Sequence, residues 1–305
     1  MKHLISIHDL SLSEINKIFE LSAKLKLEKK QGIPHPILKG KTLGMIFTKS
    51  STRTRVSFET GMYQLGGNAI FLSSDDIQIG RGESINDTAK VLSRYIDGIM
   101  IRTFAHSDVE ELAKYGSIPI INGLTDLLHP CQILADLFTV LEHKGTLKGL
   151  KLAYVGDGNN IANSLLYGCA KVGMDIFIAT PKGYECNVQV IKEALNDSKE
   201  SGCRINLAQD PWEAVENADV VYTDTWISMG QESEKDKKVK LFQDYQVNSK
   251  LFSAAKKDAI FLHCLPAYRG FEVTAEIIDG PNTVVFDEAE NRLHVQKAIM
   301  ALLMG

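Results

Sequence analysis

Short apolar runs of about five residues alternate along the chain with longer stretches in which apolar side chains recur every three or four positions. The short runs read as buried strands and the longer stretches as amphipathic helices. After an N-terminal helix around 13–29, the pattern predicts strands at 42–47, 68–72, 98–102 and 118–122, with helices near 53–65, 84–95 and 107–114. On the helix near 53–65, Val56, Phe58, Met62 and Leu65 supply one broad apolar face. The alternation breaks at Leu128-His129-Pro130-Cys131, where Pro130 suits the first turn of a helix through 132–142. A Gly/Lys-rich stretch, 143–150, leads into a second series of strands at 151–155, 175–179, 205–208, 219–223, 259–263 and 283–286, followed by a last helix over 288–304.

Strands regularly alternating with helices predict an α/β protein of two domains, each a mostly parallel sheet flanked by helices, the two joined by interdomain helices. The expected division is 1–142, 150–287, and a C-terminal helix 288–305 that packs back on the first domain. The charged segment 231–240 reads as a mobile, solvated loop.

Composition narrows the partners. The 305 residues are 44% apolar and 24% charged, with a formal net charge of -4. That balance gives no general attraction to nucleic acid or to an anionic membrane, so any anion site has to be a local concentration of Arg and His. Five cysteines without close pairing fit reduced thiols better than a disulfide framework. No apolar run is long enough to span a bilayer, the N-terminal segment has no signal-like apolar stretch, and the expected location is cytoplasmic.

Candidate chemistry gathers where strands end. Ser50-Ser51-Thr52-Arg53-Thr54-Arg55 puts hydroxyls and two guanidiniums where a strand hands over to a helix. There the first-turn N–H groups and the dipole already favour a phosphate or carboxylate. The bland alternative is a simple N-cap with two solvated arginines. Arg102 follows an apolar run, His129 and Gln132 flank Pro130 and Cys131, and His263-Cys264-Leu265-Pro266 sets a thiol beside a backbone bent by proline. Singly, each of these is more often an ion pair, a turn residue or core; their shared position is what carries weight. Asp224 lies four residues before Ser228-Met229-Gly230, and a carboxylate there suits an ammonium group, with an N-cap as the alternative.

Gly156-Asp157-Gly158-Asn159-Asn160-Ile161 invites a dinucleotide-binding reading, yet Ile161 stands where the third glycine belongs. Asn159 and Asn160 instead offer amides to a small polar molecule.

Taken together, these segments resemble the aspartate/ornithine carbamoyltransferase family and, within it, the members that use ornithine. Ser51-Thr52-Arg53-Thr54-Arg55 is similar to the family's carbamoyl phosphate motif, His129-Pro130-Cys131-Gln132 to its second signature, and His263-Cys264-Leu265-Pro266 to the form of the ornithine members. The Ser228-Met229-Gly230 loop with Asp224 before it is the most discriminating element. The resemblance implies that Ser51, Thr52, Arg53, Thr54, Arg102, His129, Gln132, Cys264, Leu265 and Arg292 hold carbamoyl phosphate, and that Asn160, Asp224, Ser228 and Met229 hold L-ornithine. It also implies a homotrimer or a multiple of trimers, with Gln78 contributed by a neighbouring subunit. No lysine lies between Lys49 and Lys90, whereas aspartate-using members carry one in that loop.

The implied reaction gives citrulline and phosphate in arginine metabolism, with Arg53, Arg102, His129, Asp224 and Cys264 as the catalytic group. It calls for no metal and no cofactor, because the leaving group is already installed on the donor. The segment from Ser228 through the charged stretch is expected to close over bound acceptor. Carbamoylation of putrescine or another amine, a non-catalytic amino-acid-binding relative, and a nicotinamide oxidoreductase are the alternatives.

Overall fold

The protein is described from a computed structural model covering every residue except 75, 76, 78–81, 228, 229 and 231. The expected contributions of Gln78, Ser228 and Met229 lie outside the described residues. The chain divides into two compact units, one of Met1–Ala135 with Asn291–Gly305, the other of Asp136–Glu290.

The first unit holds α1 (Leu12–Lys30), β1 (Thr42–Phe47), α2 (Thr52–Gln64), β2 (Asn68–Ser73), α3 (Ile85–Leu92), β3 (Gly98–Arg102), α4 (His106–Tyr115), β4 (Ile120–Leu124) and the start of α5 (Pro130–Lys144). The second contains β5 (Lys151–Val155), α6 (Asn160–Val172), β6 (Asp175–Ala179), α7 (Val188–Ser201), β7 (Ile205–Ala208), α8 (Pro211–Val215), β8 (Val220–Tyr222), α9 (Lys235–Leu241), α10 (Ser249–Phe252), β9 (Ile260–Leu262) and α11 (Ala275–Ile278). The last helix, α12 (Val285–Met304), begins in the second unit and ends in the first, and α5 runs the opposite way.

Both sheets are parallel. The first has strand order β2-β1-β3-β4 and the second β7-β6-β5-β8-β9. Their central strands are buried along nearly their whole length, as unbroken apolar runs covered by helices on both faces should be. The edge strand β2 is only partly covered. Ile46, Ile99, Ile101, Val109, Leu112 and Ile120 form a core of the first unit; Val155, Val221, Trp226, Phe242 and Phe261 belong to that of the second.

Four expectations are corrected. The fourth strand is Ile120–Leu124, two residues beyond the predicted run, because Pro119 lacks the N–H that a ladder needs. Residues 283–286 form no strand; Thr283 makes a single bridge to Phe261 and the chain turns directly into α12. Val56 is 55% exposed, so the buried face of α2 is Phe58 and Met62, with Leu65 just past its end. The segment 231–240 is not a plain solvated loop: Glu232–Glu234 form a short 3-10 turn, α9 follows, and Lys238 is buried.

The turn after β5 shows why its glycines are there. Gly156 has φ +148, and a Cβ on Gly158 would sit 2.4 Å from the Cys186 amide nitrogen. The chain's own backbone at Glu185–Cys186 therefore packs against this turn, and Gly158 N–H donates to the Tyr184 carbonyl at 2.8 Å. Close backbone approach within the fold accounts for the glycine that suggested a dinucleotide. Gly158→Ala is expected to destabilise the chain by about 1–3 kcal/mol through overpacking. Urea unfolding of wild type and variant measures the difference, and equal midpoints would contradict the assignment.

Candidate active site

In the first unit the strand-to-helix junction forms a cap. Ser51 has extended backbone, and its hydroxyl accepts from Thr54 N–H at 3.3 Å while donating to Thr54 Oγ1 at 3.1 Å. Thr54 Oγ1 also accepts from Arg292 Nη2 at 3.3 Å. With both contacts taken as acceptor, the Thr54 hydroxyl hydrogen is left to donate to a ligand. No acidic side chain stands in the first turn of α2, which leaves the positive end of its dipole uncancelled.

Arg292, on α12, also reaches Gln132 Oε1. Gln132 N–H in turn donates to the His129 carbonyl at 3.1 Å as α5 begins. Arg102 is buried at the end of β3, and its carbonyl accepts from Thr48 N–H at 2.9 Å, which ties the ends of β1 and β3 together. Ser51, Thr54, Gln132 and Arg292 are thus linked by hydrogen bonds, with His129 joined through its backbone.

His129 is the electrostatic key to this half. Burial holds its imidazole well below the ordinary value, and Arg292, Arg102 and Arg53 push it further the same way. The ring is therefore neutral near pH 7, a hydrogen-bonding group that adds no charge to a site already cationic. The two arginines of the opening motif differ in role. Arg55 is engaged by Glu59 at 2.9 Å and lies over the Phe71 ring at 3.9 Å, whereas Arg53 is exposed on the first turn and felt by His129. Thr52 is exposed beside it. Cys131 is structural, since its thiol donates to the Asn122 carbonyl and burial pushes it up to about 12.

Lys49 went unnoticed in the sequence. Its ammonium is buried just before the cap, paired with Asp126 and lying 4.1 Å from the Phe104 ring centroid. A single lysine in a loop gives no signal of such burial.

In the second unit, the centre is Asp224, just past β8. Its Oδ2 accepts from Asn159 Nδ2 at 2.7 Å; its Oδ1 accepts from Thr225 N–H at 2.7 Å and from the Cys264 thiol at 3.1 Å. Asp224 is no N-cap. Asn159 is, with its Oδ1 accepting from Ile161 and Ala162 N–H at the start of α6. Asn160 is half-buried at the first residue of that helix.

Cys264 is a thiol, not a thiolate. Burial raises it well above the usual range, and the Asp224 and Glu288 carboxylates add to the effect. It donates to Asp224, so it does not act as the proton acceptor near neutral pH. His263, fully buried, shapes the turn that follows. Its Nδ1 accepts from Leu265 N–H at 2.9 Å, its Nε2 faces Glu272 at 3.2 Å, and its own N–H donates to Glu288 Oε2 at 2.9 Å. Leu265 sits at φ +56, a left-handed conformation held by that bond to His263.

The side-chain donor atoms of Asp224, His263 and Cys264 lie within 4.8 Å of one another. Both imidazole nitrogens of His263 are engaged and the thiol is protonated. The trio is a hydrogen-bond network in which each of the three side chains is already engaged.

The first α/β unit thus presents a capped, cationic helix N-terminus and the second a hydrogen-bonded carboxylate at its sheet edge. Residues 2–142 match the carbamoyl-P binding domain, and residues 148–303 the Asp/Orn binding domain, of the aspartate/ornithine carbamoyltransferases. The chain belongs to that family. It is 60% identical over 303 residues to the ornithine carbamoyltransferase of Caldicellulosiruptor saccharolyticus, covering 99% of this chain and 98% of the relative. The Bacillus subtilis ornithine carbamoyltransferase is 59% identical over 303 residues, covering 99% and 94%. Among solved structures, the ornithine carbamoyltransferase from Pyrococcus furiosus matches with a TM-score of 0.97 and 55% identity, covering 100% of this chain and 97% of that one.

The state of His129 sets a pH dependence. Its folded value lies below its unfolded one near 6.5, so the unfolded chain binds the extra proton first. Its contribution is intact above pH 6.5 and is lost as the pH falls from there toward the depressed folded value. His129→Asn is expected to flatten this part of the stability curve, measured as the difference between wild-type and variant unfolding free energies from pH 7.5 to 5. A difference independent of pH would show that the ring is not held neutral.

Proposed function

We propose that this chain transfers the carbamoyl group of carbamoyl phosphate to the δ-amine of L-ornithine, giving L-citrulline and phosphate. The observation that carries the reading is His129, kept neutral by burial among Arg102, Arg292 and Arg53 beside the capped N-terminus of α2. That arrangement matches a doubly charged phosphoryl group with a neutral carbonyl attached. The ornithine-using relatives supply the choice of acceptor.

Free ornithine has a δ-ammonium whose pKa is near ~10.4, so only roughly one molecule in a thousand is reactive at neutral pH. The guanidiniums of Arg53, Arg102 and Arg292 disfavour the ammonium next to the donor, while Asp224 orients the amine by accepting from it. Attack on the carbonyl carbon builds charge on its oxygen. Arg102, His129 and the Thr54 hydroxyl donate to that oxygen, each such donor being worth on the order of 3 kcal/mol in the transition state. As the tetrahedral intermediate collapses, the C–O bond to phosphate breaks and the departing phosphate takes the proton lost by the attacking nitrogen, settling onto Arg53, Ser51 and the helix N-terminus, with Thr52, Gln132 and Arg292 holding it. Cys264 fixes Asp224, Leu265 lies against the carbamoyl group, and Asn160, Ser228 and Met229 hold the amino-acid end of ornithine.

The same reading assigns the chain to arginine biosynthesis in the cytoplasm, as a homotrimer in which Gln78 completes a neighbour's site. Val56 and Tyr63 of α2 and Ile70 of the edge strand β2 are exposed, which suits a covering subunit. Among the described residues no helix is long and apolar enough to cross a membrane.

A colorimetric citrulline assay with carbamoyl phosphate and ornithine, putrescine, N-acetylornithine or aspartate tests the proposal; ornithine is expected to be the productive acceptor, and activity with another alone would overturn it. Arg53→Ala is expected to lower kcat/KM for carbamoyl phosphate about 100-fold, through both constants. Asp224→Ala is expected to act chiefly through KM for ornithine, and wild-type kinetics in either variant would remove that residue from its role.

A further inference from the structure

Along α9, Lys235, Asp236, Lys237 and Lys240 are exposed, but Lys238 is only 1% exposed. Its ammonium donates to Asp157 Oδ2 at 2.6 Å and lies 5.3 Å from the Tyr184 ring centroid. A buried ion pair adds little net stability over an apolar pair of the same shape, so stability alone does not explain an ammonium there. What it touches does.

Asp157 stands in the turn after β5, between the two glycines. The Tyr154 hydroxyl donates to the Asp157 carbonyl at 2.8 Å and reaches Asn159 Oδ1 at 3.4 Å. Asn159 then gives its amide hydrogen to Asp224 Oδ2. Lys238 is therefore joined to the acceptor carboxylate through one turn of chain and two side chains, all within the second unit.

We propose that Lys238 is a positioning residue for the acceptor: through Asp157 it fixes the turn that aims Asn159 at Asp224, and it cancels the Asp157 charge so that Asp224 alone addresses the amine. The inference rests on the ornithine reading above. Among the described residues, the charged or titratable groups facing Asp157 are Lys238, Asp224, Glu234, Cys186 and Tyr154. Burial pushes the Asp157 carboxyl up and Lys238 opposes that shift. With Lys238 gone, an uncompensated Asp157 carboxylate favours the ammonium form of bound ornithine and delays the reactive amine to higher pH.

The test is steady-state kinetics from pH 6.5 to 9.5, with thermal melting, on wild type, Lys238→Met, Lys238→Arg and the charge-free pair D157N/K238M. Lys238→Met is expected to raise KM for ornithine about tenfold, mid-range for residues sharing one hydrogen-bonded network, with KM for carbamoyl phosphate within about twofold of wild type. Its rising limb of kcat moves to higher pH; Lys238→Arg restores both features. If the lone carboxylate prevents Lys238→Met from folding, D157N/K238M carries the test. It is expected to show the raised KM for ornithine with the limb at its wild-type position.

An unchanged KM for ornithine, equal increases for both substrates, or failure of Lys238→Arg to restore a folded Lys238→Met would overturn the inference and leave Lys238 a brace of the fold. Wild type that makes no citrulline would overturn the ornithine reading and this inference with it, so the two failures are told apart by the wild-type arm.

Discussion

Parallel strand pairing is the constraint from which the sites follow. When every strand of a sheet runs the same way, the C-terminal ends fall along one edge, and the loops that leave them are neighbours however far apart they lie in sequence. In the first sheet this collects the loop after β1, Arg102 at the end of β3 and the segment after β4 that leads to His129. In the second it collects the turn after β5, Asp224 after β8 and Cys264 after β9. An antiparallel arrangement of the same segments would have sent half of these side chains to the opposite edge.

Each edge then solves a different electrostatic problem with buried polar groups. In the first unit the need is to hold an anion without overcharging the site, and a buried imidazole among guanidiniums stays neutral for that reason. In the second the need is to keep one carboxylate oriented. Asp224 receives hydrogen bonds from an asparagine, a backbone amide and a protonated thiol, all on different loops. Buried groups of this kind are costly unless every partner is in place. His263 serves the same end one step back, since its ring and backbone hold the turn that carries Cys264 and Leu265.

Much of this was legible in the sequence. Eight of the ten expected strands coincide with observed ones to within a residue at each end, because buried parallel strands leave unbroken apolar runs that periodicity reads directly. The strand-end motifs were legible for the same reason: Ser51 through Arg55, His129 and Gln132, Asp224 and Cys264 all stand where an apolar run stops. The errors came where local pattern loses authority. Val56 fits a helical apolar spacing, yet the turn of α2 it occupies faces outward. Residues 283–286 have strand-like composition, yet the sheet offers them one bridge and the helix wins.

The amino-acid order by itself determined the α/β class, the positions of nearly all the strands, the absence of a general basic surface and the residues that supply anion-binding and carboxylate chemistry, because each of these depends on side-chain type and local spacing. Tertiary structure alone decided which partners those groups meet. It joined Arg292 to Thr54 and Gln132 across more than 150 residues, made Cys264 a donor to Asp224, buried Lys49 and Lys238 against Asp126 and Asp157, and kept His129 neutral. Burial and the distance between charges set protonation and hydrogen-bond direction, and both arise only when segments remote in sequence pack together.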